Sequence, residues 1–254
     1  MQLLFLCGFL CLLISLVDHG ALAFAPLLSE SRHNNPEQHR RRQRQEIIKL
    51  EALGDFTVEL EKPLGIILEE RGVNTGVRVK EIRPEGSAAS SRIVPGDVLV
   101  QVGDENVETL DFDSIMELIV SSPRQVRLTV GDGLGVLDMP RNVVNLLKSK
   151  EDAYFIDAVV REAVREIRRN GRLGDLIKVE VIVGAGVQND GTRGLVRFFA
   201  IFSTDGVSTY SCNVASTGIR QADGTIKIVS LSCAKDEGLG QTFDLIKESE
   251  NTKS

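Results

Sequence analysis

Lys62-Pro63-Leu64-Gly65-Ile66-Ile67-Leu68-Glu69 decides how the first half of this chain folds. Before it, Phe56, Val58 and Leu60 alternate with Thr57, Glu59 and Glu61, the period-two pattern of a half-buried strand that Pro63 ends. Within it, Leu64-Gly65-Ile66 supplies three successive backbone N–H groups. A turn that aims all three inward makes a nest for a carboxylate, and a glycine lets the backbone approach a ligand closely. A plain tight turn between two strands fits the same residues, so the sequence downstream has to decide.

Downstream, the pieces come in a fixed order. Gly76-Val77-Arg78-Val79 reads as a strand, and Arg83-Pro84-Glu85-Gly86-Ser87-Ala88-Ala89 as a turn into a short helix. Pro95-Gly96-Asp97 turns into the apolar strand Val98-Leu99-Val100. Asp111 is a good N-cap for a helix from Phe112 to Ser122, and Val126 to Val130 closes the unit. This order resembles the PDZ domain, a small β-barrel or sandwich with two helices, over residues 55–131. The resemblance implies that a partner's C-terminal peptide adds as a strand along Ile66, Ile67 and Leu68, with its carboxylate on the N–H groups of Leu64, Gly65 and Ile66. Lys62 would add a solvent-screened charge. The other wall of the groove would be the face shared by Phe112, Met116 and Ile119, at i, i+4 and i+7, with Ile115 and Leu118 turned to the core. The family's common class has histidine where this chain has Phe112. That departure implies an apolar side chain at the ligand's third-from-last position.

Composition excludes several chemistries. The three histidines, His19, His33 and His39, all precede residue 40. Leu3 to Val17 is a short apolar run that suits a signal peptide ending near Ala23. Ala21-Leu22-Ala23-Phe24-Ala25-Pro26 resembles the ASAFAP-type junction of bipartite plastid presequences in algae with secondary red plastids. Residues 24–45, with Arg32, Arg40, Arg41, Arg42 and Arg44, read as a basic transit segment. The expected destination is the plastid stroma, the alternative being secretion. Once residues 1–45 are removed, no histidine remains as a base or metal ligand, and only Cys212 and Cys233 remain as thiols. Residues 46–254 carry 25 basic and 33 acidic side chains, an acidic body that repels nucleic-acid phosphates and acidic membrane surfaces.

Gly131-Asp132-Gly133-Leu134-Gly135 breaks the pattern and opens a linker over 132–150, in which Pro140 to Leu147 suits a short helix. A second α+β domain is expected over 151–245, with 246–254 as a tail. Phe155, Ile156, Val159, Val160, Ala163, Val164 and Ile167 recur at helical spacing, and Asn170-Gly171 stops the helix. The charges opposite, among them Arg161, Arg165 and Arg168, read as a solvated face. Four strands follow in meander order, at Leu176–Val187, Leu195–Phe202, Val207–Val214 and Thr225–Cys233, similar in order to cystatin-type or NTF2-type folds. Gly184-Ala185-Gly186 suits a bend, not a dinucleotide loop. Cys212 and Cys233 fall on neighbouring strands, near but not opposite one another, as buried free thiols. Leu195 to Phe202 is apolar on both faces, so Phe198 with Phe202, or Phe199 with Ile201, is expected to self-associate or to clamp the first domain.

The expected function is a non-enzymatic adaptor that captures apolar C-termini of plastid proteins and uses no cofactor and no metal. The alternatives are a small-ligand pocket between helix and sheet of the second domain, and a substrate-selecting module of a protease complex.

Overall fold

The computed structural model describes residues 54–72, 75–235 and 240–247. The expected signal and transit segments, and the end of the expected tail, lie outside these residues. The first unit is built from β1 (Phe56–Glu61), β2 (Ile66–Glu70), β3 (Val77–Ile82), a 3-10 turn (Ser87–Ser90), β4 (Val98–Val102), β5 (Glu105–Asn106), α1 (Phe112–Ser121) and β6 (Gln125–Gly131). Its sheet runs β1-β6-β4-β3-β2, with β5 on β4, so β2 is an edge strand. Alternation drives the burial: Phe56 and Leu60 of β1, Val77 and Val79 of β3 and Val126, Leu128 and Val130 of β6 enter one core with Ile115 and Ile119 of α1.

The second unit comprises α2 (Arg141–Val144), α3 (Lys150–Asn170), β7 (Asp175–Val187), β8 (Arg193–Ser203), β9 (Thr209–Arg220), β10 (Ile226–Lys235) and β11 (Thr242–Ile246). Its strands are antiparallel in the order β11-β10-β9-β8-β7. The sheet thus has a fifth strand that the period-two pattern did not single out, because Thr242-Phe243-Asp244-Leu245-Ile246 is short. Ser149 caps α3 by accepting the Asp152 N–H at 3.1 Å, and Gly171 ends it in the left-handed region at φ 66°. The apolar face of α3 packs on Ile182, Val196, Phe198, Ala200, Phe202, Val214 and Leu231 of the sheet. Register shifts at Leu176/Lys178, Val179/Val181 and Ile182/Gly184 bulge β7, which bends a strand around its core.

Three expectations change here. Residues 132–150 are not a free linker: Asp132 is buried, and Leu134, Leu137, Met139 and Leu147 pack on the second core. Phe198 and Phe202 are fully buried under α3 and serve no interface; Leu195, Phe199 and Ile201 alternate onto the outer face, which α3 does not cover. The charged face of α3 is solvated only in part: Arg169 is exposed, but Arg161 and Arg165 are 6% and 2% exposed. Cys212 and Cys233 are both buried and neither forms a disulfide; Cys233 pairs with Val214 and Cys212 with Lys235, so the two sit diagonally across the ladder. Burial, with Cys212 beside it, pushes the Cys233 thiol up to about 12. Among the described residues no helix is long and apolar enough to cross a membrane.

Candidate functional site: the β2–α1 groove

The loop that opens β2 is shaped by close backbone packing. The Lys62–Pro63 bond is cis and Gly65 takes φ 71°. Pro63 O and Leu64 O accept the N–H groups of Ser87 at 3.2 Å and Ala88 at 3.0 Å, which ties the loop to the 3-10 turn. Gly65 and Gly86 pass so near that a Cβ on Gly86 would lie 2.2 Å from Gly65 Cα. Only two glycines allow that crossing.

The carbonyls of this loop are therefore occupied while its donors are not. Gly65 O accepts the Arg83 N–H at 2.8 Å, which makes Ile66 and Ile82 a non-hydrogen-bonded pair. The N–H and C=O of Ile66 then point away from β3, toward the open edge. Neither Leu64 N–H nor Gly65 N–H finds a backbone acceptor among the described residues. Three donors in sequence at a sheet edge form an anion-binding concavity.

Beside them lies an apolar cavity of about 50 Å³, lined by Leu64, Ile66 and Leu68 on one side and Met116 and Ile119 of α1 on the other. That is several times the ~10–15 Å³ that admits one water, and its apolar side-chain lining suits an apolar group better than a water. Its floor is Val79, Ile93, Leu99, Leu128 and Val130. Those five were not singled out as site residues from sequence. Ile93-Val94 directly before Pro95-Gly96 was the available signal for one of them.

The remaining candidates fall elsewhere. Ile67 contributes backbone to β2 but does not line the cavity. Phe112 is partly buried against the first core at the start of α1 and is not part of the cavity wall. Lys62 is a correction. Its Nζ donates to Val120 O at 2.9 Å and Ser122 O at 2.7 Å, so its charge caps the C-terminus of α1. That ties the β1–β2 corner to the helix across the groove.

A second concavity of about 720 Å³ lies between the two units, lined by residues of both, including Asp55, Arg92, Arg161, Arg165 and Arg220. The space between α3 and its own sheet is filled by fully buried side chains, so the cleft between domains takes the place of the expected helix–sheet pocket. The domain contact itself is made by Arg165 and Arg168 of α3, while Arg161, one turn earlier on the same face, ties the helix to the segment that follows β6. Arg161 Nη1 bonds Asp132 Oδ2 at 2.7 Å and its Nε bonds Asp157 at 2.7 Å. Arg165 Nη1 bonds Asp97 Oδ2 at 3.0 Å and lies with its guanidinium 4.3 Å from the centre of the Phe56 ring. Arg168 Nη1 donates to Asp132 O at 2.8 Å and stands 3.5 Å from Asp97 Oδ1. Arg92 pairs with Glu162. Burial pushes the Asp97 carboxyl up, against the pull of Arg165, the Val94 N–H and Arg168. Burial, with Asp132 and Glu108 nearby, pushes Asp55 up to about 6.

No curated protein matches the chain. Among solved structures, the second PDZ domain of Dlg1 from the choanoflagellate Monosiga brevicollis is similar at 21% identity, covering 30% of this chain and 90% of that one with a TM-score of 0.28. The PDZ domain of choanoflagellate GIPC is similar at 13% identity, covering 33% and 96% with a TM-score of 0.30. The fourth PDZ domain of MUPP1 is similar at 18% identity, covering 37% and 94% with a TM-score of 0.31. The family model of the PDZ domain matches residues 56–131, so the first unit of this chain is a PDZ domain followed by a second unit rich in antiparallel sheet.

Proposed function

We propose that this protein is a non-enzymatic adaptor that holds partner proteins by an apolar C-terminus in the β2–α1 groove. The observation that carries the reading is the pairing of N–H donors without a backbone acceptor at Leu64, Gly65 and Ile66 with an apolar cavity beside them. The peptide's carboxylate takes the donors, its main chain extends the sheet along Ile66, Ile67 and Leu68, and its last side chain fills the cavity between Met116 and Ile119. Phe112, apolar and half-buried, favours an apolar side chain at the third-from-last position. Titration calorimetry with one apolar-ended peptide in acid and amide forms tests this. A charge-assisted hydrogen bond contributes roughly 1.5–3 kcal/mol, so amidation should weaken binding about tenfold or more. Equal affinity of the two forms would remove the carboxylate site.

The partners we propose are plastid proteins, on the strength of Phe24-Ala25-Pro26 and the basic segment after it. A fluorescent fusion of residues 1–50 should enter the plastid of a red-lineage alga, and its secretion would exclude that destination. The outer sheet face bearing Leu195, Phe199 and Ile201 is the surface through which a second copy would associate. Light scattering that finds a monomer at every concentration would remove this.

A further inference from the structure

We infer that Arg165 and Arg168 are positioning residues for the peptide groove: the second domain sets the shape of the pocket that receives the ligand's last side chain. The inference rests on the peptide-binding reading and concerns how selective that site is.

One short segment, Arg92 to Asp97, separates the groove from α3. Its Ile93 side chain is 3% exposed and forms part of the cavity floor. The residues around Ile93 are the ones that α3 holds. Arg92 O accepts a hydrogen bond from Arg165 Nη1 at 3.3 Å, and Asp97 Oδ2 accepts one from the same nitrogen at 3.0 Å. Asp97 Oδ2 also accepts the Val94 N–H at 3.0 Å, which closes the turn beneath Ile93. Arg168 lies against Gly96, where a Cβ would stand 3.0 Å from its Nε.

The same segment grips a second floor residue. Val79 N–H donates to Asp97 O and Val79 O accepts the Gly96 N–H, both at 2.7 Å. Ile93 and Val79 thus rest on a turn pinned by two guanidinium groups of the other domain. Asp97 is fully buried, and without Arg165 the guanidinium left near its carboxylate, among the described residues, is the more distant Arg168. A buried carboxylate that loses its partner draws in water or moves toward it. Either response shifts the turn, and Ile93 with it, away from a cavity of about 50 Å³. Among the described residues, the donors at Leu64, Gly65 and Ile66 make no hydrogen bond to Arg165, Arg168 or Asp97, so the carboxylate site stays as it was.

The test uses residues 46–254 with two peptides that differ only in ending in Val or in Phe. Arg165→Met is the main variant, Arg165→Lys the conservative one, and Arg168→Met a milder one that leaves the closer Asp97 contact in place. A change of one methylene in an apolar pocket is worth about 10–200-fold in selectivity. The expected result is a shift of the Val-to-Phe affinity ratio toward Phe by at least about tenfold in Arg165→Met, with partial return in Arg165→Lys and an unchanged acid-to-amide ratio. A general loss of folded protein would lower both affinities together and leave the ratio alone. If Arg165→Met fails to fold, the ratio in Arg168→Met decides by the same criterion. A ratio unchanged within about twofold in folded Arg165→Met, or in Arg168→Met where Arg165→Met does not fold, overturns the inference while the peptide-binding reading stands. Native protein that binds neither peptide overturns both.

Discussion

At the scale of single residues, the groove depends on absences. Gly86 has an ordinary extended backbone, φ −94° and ψ 160°, so a side chain there is excluded by space alone. Gly86→Ala would force the loop at Gly65 away from the 3-10 turn. Overpacking of this kind costs roughly 1–3 kcal/mol. The expected outcome is a folded protein that binds C-terminal peptides at least about tenfold more weakly in calorimetry; native affinity would show that the loop's position is not what holds the carboxylate. Asp55 gives a pH signature. Its carboxyl is raised to about 6 in the fold, against ~3.9 in an unfolded chain. The folded state therefore holds this proton more tightly, and the group's contribution to stability is lost as pH rises from the unfolded value through the folded one. Asp55→Asn removes that loss. Its melting temperature should exceed the native one at about pH 7.5, and its decline between about pH 4 and pH 7 should be shallower. An unaltered slope would mean that Asp55 titrates as an exposed carboxyl.

At the scale of elements, α3 does two jobs with two faces. Its apolar stripe fills the second core, and its arginine stripe reaches the first domain. Helix ends that are well capped keep both faces in register. The Ser149 side chain accepts the Asp152 N–H, so Ser149→Ala should destabilise the protein by about 1 kcal/mol in urea denaturation. An unchanged midpoint would mean that packing alone holds this helix end. The strands were readable wherever one face is apolar and the other polar, as in β1. In β8 both faces are apolar, and alternation alone could not say which of Phe198 and Phe199 goes inward. The meeting with α3 decides it: Phe198 is fully buried and Phe199 is not.

At the scale of the whole molecule, the two domains meet through fully desolvated charge. Breaking one partner of a buried pair typically costs about 3–5 kcal/mol, because the other charge is left uncompensated. Arg161, 6% exposed, serves Asp132 and Asp157 at once, so Arg161→Met should lower stability by about that much. The contacts of Arg165 and Arg168 with Asp97 of the first domain should make residues 46–254 unfold as a single unit. Both tyrosines, Tyr154 and Tyr210, belong to the second domain, whereas circular dichroism reports on both. Coincident denaturation curves from the two probes are expected. A tyrosine transition separated from the dichroism transition would mean that the arginine contacts do not couple the domains.

The sequence by itself determined the PDZ domain and its edge loop, because Leu64-Gly65-Ile66, Gly86-Ser87, Gly96-Asp97 and the helix from Asp111 are local signals that need no distant partner to be read. It also determined α3, whose apolar spacing and glycine stop lie within one stretch of chain. Only the tertiary structure decided what the charges of α3 are for. Arg161, Arg165 and Arg168 have the spacing of any exposed helical face, and nothing local distinguishes a solvated arginine from one that meets Asp97 or Asp132 far away in sequence. The same holds for Lys62, whose partners at Val120 and Ser122 come into reach only once β1 pairs with β6 and carries the end of α1 beside it. Hydrophobic periodicity reports what a segment buries; a charged group's partner is fixed by the three-dimensional path of the chain.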